Sequence, residues 1–137
     1  MGVVKQMTAK SAKYRKTKGN NFEKEVASDL RESGLDKKAR RMPCSGALED
    51  MKSDIITSLP IHFECKRQEK WNVDKYYEQA VSGKKQHEMA VVVMKKSNKE
   101  AMAMLSWKDL IRLMQLAAET GHFQGEYGYQ KRKQVNK

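Results

Sequence analysis

Residues 53–66, SDIITSLPIHFECK, constrain the fold more than any other stretch. Two short apolar runs, Ile55 with Ile56 and Ile61 with Phe63, have the content of neighbouring strands, and Leu59-Pro60 supplies a tight link between them. Alternation along IHFECK sends Ile61, Phe63 and Cys65 to one face and His62, Glu64 and Lys66 to the other. Asp54 opens the first run at the edge of the core. Burying charge is costly unless the charge is paired or holds a metal. The expected hairpin brings Asp54 towards the Glu64–Lys66 end. Two carboxylates a few ångströms apart repel and shift each other's pKa. A divalent cation relieves that repulsion, and Mg²⁺ typically takes one or two protein carboxylates while keeping waters and room for phosphate oxygens. A half-exposed strand with a solvated charged face shows the same alternation, so the pattern alone does not decide.

The rest of the chain supplies partners for these strands. GNNFEKEVASDLRESG reads as a helix with Asn20 or Asn21 as cap and Gly34 past its end. Its apolar stripe is Phe22, Val26, Ala27 and Leu30. Glu23 falls in or beside that stripe, while Glu25 lines up with Asp29 and Glu32 on the solvent side. An inward glutamate serves either a site or a salt bridge to a lysine. KKARRMP reads as a short polar strand and CSGALEDMK as a loop. VDKYYEQAVSGKKQHE is a helix weakened by Gly83, MAVVVMKK a strand, and AMAMLS a further strand. SWKDLIRLMQLAAETG is a helix from a Ser106 cap to a Gly121 stop. The order predicts an α/β domain around a small mixed sheet.

A chain of 137 residues suits one core, and no run approaches the ~20 apolar residues of a membrane span. No apolar stretch follows the basic N-terminus, so no secretory signal is expected. Cys44 and Cys65 form no framework and fit free thiols in a reducing, cytoplasmic or nucleoid-associated setting. The net charge of +11 is uneven: residues 1–18 hold six basic residues and 128–137 four, neither segment holding an acid. The body between carries 18 basic and 17 acidic residues. We expect residues 1–17 as a flexible basic arm, 18–120 as the folded domain, and 121–137 as a basic tail. Basic tails neutralise phosphates or merely aid solubility, and they lack the apolar anchors of membrane binders.

Asp54, nine residues, then Glu64-Cys65-Lys66 resembles the D…(D/E)xK signature of the PD-(D/E)xK nucleases, with Ser53 where proline is usual. RKTKGNNFEKEV resembles the opening of Hjc-type Holliday-junction resolvases, in which a basic, glycine-containing segment leads into a helix bearing an essential glutamate. Glu23 falls there. MPCSGA resembles the loop with a catalytic serine, which maps to Ser45. YYEQAV resembles the following helix, its glutamine matching Gln79, and MAVVVMKK the next core strand. KGNNFEK is also similar to the bacterial RecU resolvases. The resemblance spans about residues 14 to 115. It departs from Hjc in a longer N-terminal arm and a Met-rich last third.

The resemblance implies a restriction-endonuclease-like core and a metal-dependent endonuclease, most closely a Holliday-junction resolvase of DNA recombination and repair. Asp54, Glu64 and the Cys65 carbonyl would hold Mg²⁺ or Mn²⁺. Glu23 would hold a second ion or orient the attacking water. Lys66 would stabilise charge on the phosphate, Ser45 would bond the scissile phosphate, and Gln79 would sit near the site. Lys13, Arg15, Lys16, Lys18, Arg40, Arg41, Arg67 and Lys70 would contact branched DNA. The expected assembly is a homodimer on a four-way junction, with no small-molecule cofactor and no membrane. Trp107 to Ala118, with Met102, Met104 and Met114, offers either a pairing surface or core. Alternatives are another nuclease of the superfamily (nicking, flap-directed or restriction-like) and a non-catalytic nucleic-acid-binding protein. His62 reads as a surface histidine. Trp71 reads as packing or as a stacking platform, and Tyr76 and Tyr77 as serving their helix. Arg40, Arg41, Lys37 and Lys38 either clamp backbone or decorate an edge. Cys44, His62, Cys65 and His87 lack zinc-site spacing.

Overall fold

The computed structural model describes the backbone of residues 2–43 and 53–121, with side chains from Ser11 onward within those ranges. The chain forms two compact units, Met1–Met104 and Leu105–Lys137. The first runs α1 (Gly2–Glu32), β1 (Arg40–Arg41), β2 (Ile55–Ile56), β3 (Ile61–Arg67), α2 (Val73–Gly83), β4 (Met89–Lys95) and β5 (Met102–Met104). The second contributes α3 (Trp107–Glu119).

The sheet order is β3-β4-β5, with β3 and β4 parallel and β5 antiparallel to β4. Parallel neighbours need a long crossover, and α2 supplies it. β4 reads as an unbroken apolar run because both its faces are covered, and Ala90, Val91, Val92 and Met94 are all buried. The register sets Glu64 beside Val92 and Lys66 beside Met94. His62, Glu64 and Lys66 thus share a face with Ala90, Val92 and Met94, against which Tyr76 and Ala80 of α2 pack. Helix α1 lies against β1 and β3. Its Phe22, Val26 and Ala27 are buried, and the larger two side chains each stabilise the docking by roughly 1.5–3 kcal/mol. β1 and β2 form a separate two-stranded antiparallel ribbon, pairing Arg40 with Ile56 and Arg41 with Ile55.

One expectation fails at α1. The helix is continuous from Gly2, so Asn20 and Asn21 lie inside it and cap nothing. No proline precedes Pro43, and Ala, Lys, Met, Gln and Arg dominate the first turns, so propensity carries the helix through Gly19. Its end is as expected: Gly34 adopts φ 81°, which glycine takes without strain, and the Asp36 N–H returns to the Leu30 carbonyl at 3.1 Å. Helix α2 is capped by Asn72, whose Oδ1 accepts from the Lys75 N–H, and it stops at Gly83, short of the expected end. By itself α3 matches the expected helix: Ser106 Oγ accepts from the Asp109 N–H at 3.1 Å, and Gly121 takes φ 72°. No helix among the described residues is long and apolar enough to cross a membrane.

Candidate active site

Asp54 stands where the β1–β2 ribbon meets β3. Its carbonyl accepts from the Met42 N–H at 2.9 Å, and its N–H donates to the Phe63 carbonyl at 3.0 Å. Ser53 completes the junction with its side chain. Ser53 Oγ accepts from the Phe63 N–H at 3.1 Å and from the Ile55 N–H at 3.3 Å. The same hydroxyl has the carbonyls of Ile55 at 2.9 Å and Phe63 at 3.3 Å within reach. This clasp fixes the Asp54 side chain, whose Oδ2 accepts from the Cys65 N–H at 2.8 Å. A strand residue's N–H and C=O point to the same edge. The Cys65 carbonyl therefore faces the edge on which Asp54 sits.

The neighbouring charges converge on that edge. Burial, then the negative charge of Glu64, push the Asp54 carboxyl up to about 7, against the Cys65 hydrogen bond and the Lys66 ammonium. Glu23 adds to the upward push from α1. Glu23 is itself only 8% exposed, and desolvation raises its pKa against the Arg41 guanidinium. Glu64 and Lys66 also act on Glu23. One helix, the start of β2 and one strand thus bring Glu23, Asp54, Glu64 and Lys66 into a single electrostatic neighbourhood. Burial, then the carboxylates of Asp54, Glu23 and Glu64, push the Cys65 thiol up as well.

Among the described residues no three His, Cys, Asp or Glu side chains form a ready metal cage. Asp54 and Glu64 with a backbone carbonyl are nonetheless a donor set that suits a hard, partly hydrated cation, which needs only one or two carboxylates. Burial and the Glu64 charge destabilise the Asp54 carboxylate, and such an ion would relieve that. Glu23 is engaged differently: Arg41 Nε donates to its Oε2 at 2.7 Å and Nη2 to Asn20 Oδ1 at 2.8 Å.

Residues 14–137 match the family described as "Phage putative PDDEXK endonuclease". The chain belongs to this PDDEXK endonuclease family. No curated protein and no solved structure matches the chain. The PDDEXK assignment bears out the expected PD-(D/E)xK superfamily and the α/β, restriction-endonuclease-like core. It places the chain among nuclease hydrolases, whose superfamily works with divalent metal ions on DNA.

In this PDDEXK chain the other expected positions divide. Ser45 and the C-terminal basic tail lie outside the described residues. Gln79 is exposed on α2 and shares a groove with Lys66. Lys13, Arg15 and Lys16 are exposed on α1, as are Arg40 beyond it and Lys70 after β3. Arg15 and Lys18 line a cleft of about 470 Å³ with Lys66, Arg67 and Lys70. Two expected DNA contacts are engaged inside the fold. Arg41 holds Glu23, and Arg67 donates to Glu69 and Ser97 Oγ at 3.2 Å each. The expected surface histidine is a correction: His62 is 2% exposed, and its Nε2 lies 3.2 Å from Glu64 Oε1. α2 covers that strand face, so alternation, which paired His62 with Glu64, was the sounder signal. Trp71 packs against the α2-side core and carries the Lys96 ammonium 4.8 Å above its ring. Sequence reasoning missed the Ser53 clasp and the seat of Lys66, whose Nζ lies 5.2 Å from the Tyr76 ring centre. Nothing in local pattern marks Tyr76 for that role.

Proposed function

We propose that this chain is a metal-dependent, structure-selective DNA endonuclease that resolves Holliday junctions by paired symmetric nicks. The observation that carries the reading is the seating of Asp54 Oδ2 on the Cys65 N–H at 2.8 Å, with the charges of Glu64, Glu23 and Lys66 all acting on that carboxyl. The resemblance of RKTKGNNFEKEV to resolvase openings supports the substrate. Asp54, Glu64 and the Cys65 carbonyl would hold Mg²⁺ or Mn²⁺. When bound, the cation polarises the scissile phosphate and acidifies water. The Lys66 ammonium, steadied on the Tyr76 ring, sits against the charge that develops on the phosphate oxygens. The Arg41 Nε bond to Oε2 at 2.7 Å aims the Glu23 carboxyl, so that Glu23 orients the attacking water. Water's oxygen bonds to phosphorus as the P–O3′ bond breaks, water gives up a proton, and the departing 3′-oxygen takes one up, leaving a 5′-phosphate and a 3′-hydroxyl. Ser45 and Gln79 bind the scissile phosphate and its strand, and Arg15, Lys18 and Lys70 hold flanking phosphates.

A four-way junction has near two-fold symmetry, and a homodimer places two such edges for matched nicks. The test is cleavage with Mg²⁺ of a synthetic four-way junction beside matched duplex, splayed-arm and flap substrates, comparing the parent with Glu64→Gln. Preferential cutting of the junction, lost in the variant, is expected. Equal cutting of plain duplex makes the enzyme a different nuclease of the superfamily. Cleavage that survives Glu64→Gln overturns the site.

A further inference from the structure

Two clefts open on Lys66, one on each side of the Gln68–Lys70 loop. The second lies between that loop and the first turns of α2 and measures about 300 Å³. Its lining carries three ammonium groups, Lys66, Lys70 and Lys75, and no carboxylate. Asn72 and Gln79 add amides, and so does Gln68. The Tyr76 hydroxyl donates to Gln68 Oε1, so that amide has its N–H donors left to offer. A wall of cations and N–H donors without an acid suits phosphate oxygens. The groove's aromatic rings already carry cations, Lys66 over Tyr76 at 5.2 Å and Lys96 over Trp71 at 4.8 Å. They set ammonium groups in place and leave backbone charge, not base identity, as what is recognised. A groove of about 300 Å³ is on the scale of one nucleotide, smaller than a duplex needs. Positively charged grooves that track one backbone are the general device for unpaired strands.

We propose that the groove between the Gln68–Lys70 loop and α2 holds an unpaired stretch of the strand being cut, with the phosphate next to the scissile one on Lys70 and Lys75. The Lys66 ammonium is the shared wall between the two clefts, so the loop divides a paired arm on the α1 side from an unpaired segment on the α2 side. This deepens the nuclease reading and rests on it for the identity of the strand. It makes a locally opened duplex, or a junction whose pairs are parted at the branch point, the preferred substrate, because there an unpaired segment lies next to the cut.

The experiment is fluorescence anisotropy on the full chain in EDTA, across a range of salt. One probe is a labelled oligo-dT of about 12 nucleotides and the other a blunt hairpin duplex of similar length. Lys70→Gln/Lys75→Gln alters two exposed side chains, so the fold is retained. That variant is expected to weaken oligo-dT binding about 10-fold and to flatten its salt dependence by about 1.4 in log–log slope, two phosphates at ~0.7 each. Lys70 also lines the α1-side cleft whereas Lys75 does not, so duplex affinity should fall by only about three-fold, while Lys13→Gln/Lys16→Gln should weaken both probes alike. Unchanged oligo-dT binding, or an equal loss on duplex, overturns the groove. The two readings fail separately. A chain that binds as expected but cuts no DNA with Mg²⁺ loses the nuclease mechanism and keeps the groove. A chain that cuts while ignoring Lys70→Gln/Lys75→Gln on oligo-dT loses the groove and keeps the mechanism.

Discussion

Asp36 and Asp54 are the same residue type in opposite circumstances. Asp36, past the end of α1, accepts from Thr57 Oγ1 at 2.6 Å, the Ser58 N–H at 2.9 Å and the Lys38 N–H at 3.0 Å. Those bonds, the Thr57 hydroxyl first, pull its pKa down to about 2. Asp54 receives one N–H, faces Glu64, and is pushed up to about 7. The first aspartate is satisfied by its surroundings and ties the turn after α1 to the turn between β2 and β3. The second is held in place by the backbone and left short of partners. A carboxylate that the fold positions but does not satisfy is one that a ligand completes.

The contrast can be broken by mutation, and the largest effect should fall on chemistry. Asp54→Asn should lower metal-dependent cleavage by roughly 10³-fold or more, since it removes one of two proposed carboxylate ligands and leaves the strand intact. Asp36→Asn should leave the cleavage rate per folded molecule within about two-fold, measured on the same substrate. A large loss there would mean that Asp36 also serves the chemistry.

Stability should move the other way. Asp36→Asn is expected to lower the Tm by roughly 5 °C or more at pH 7, as three donors lose a charged acceptor. Asp54→Asn should raise the Tm by several degrees at pH 8, as removing a poorly satisfied buried charge does. The pH windows follow from linkage. Asp36, with its folded pKa below the unfolded value, stabilises at pH above about 4, and that stabilisation fades as pH falls towards about 2. Asp54, with its folded pKa raised, takes stability away as pH climbs from about 4 to about 7. The benefit of Asp54→Asn should therefore shrink at pH 4, and thermal melts at pH 4 and pH 8 measure it. An equal benefit at both would show that the carboxyl is not strained by ionisation.

The smallest expected effect sharpens the comparison most. Adding Mg²⁺ at pH 8 should raise the parent's Tm by a few degrees by mass action and leave Asp54→Asn unmoved, with Asp36→Asn responding like the parent.

Much of this was legible because it is local. Two-residue alternation put Glu64 and Lys66 on one face, three-and-four spacing turned Glu23 inward, and Gly34, Ser106 and Gly121 marked helix ends. What stayed hidden depends on pairs distant in sequence. Arg41 finds Glu23 only once β1 has packed on α1, whereas in sequence its short polar strand reads as a clamp on DNA backbone or as decoration of an edge. His62 becomes buried because α2 crosses that face, which alternation cannot say. The length of α1 was misjudged because Asn20 and Asn21 look like caps, although nothing there breaks the helix.

The Ser53 clasp makes the candidate site observable while the protein rests. Where proline would leave nothing to unfasten, here the Phe63 amide hydrogen is sealed only while the serine oxygen stays in reach. Its exchange with deuterated solvent therefore reports opening of the clasp beside Asp54, without substrate or metal.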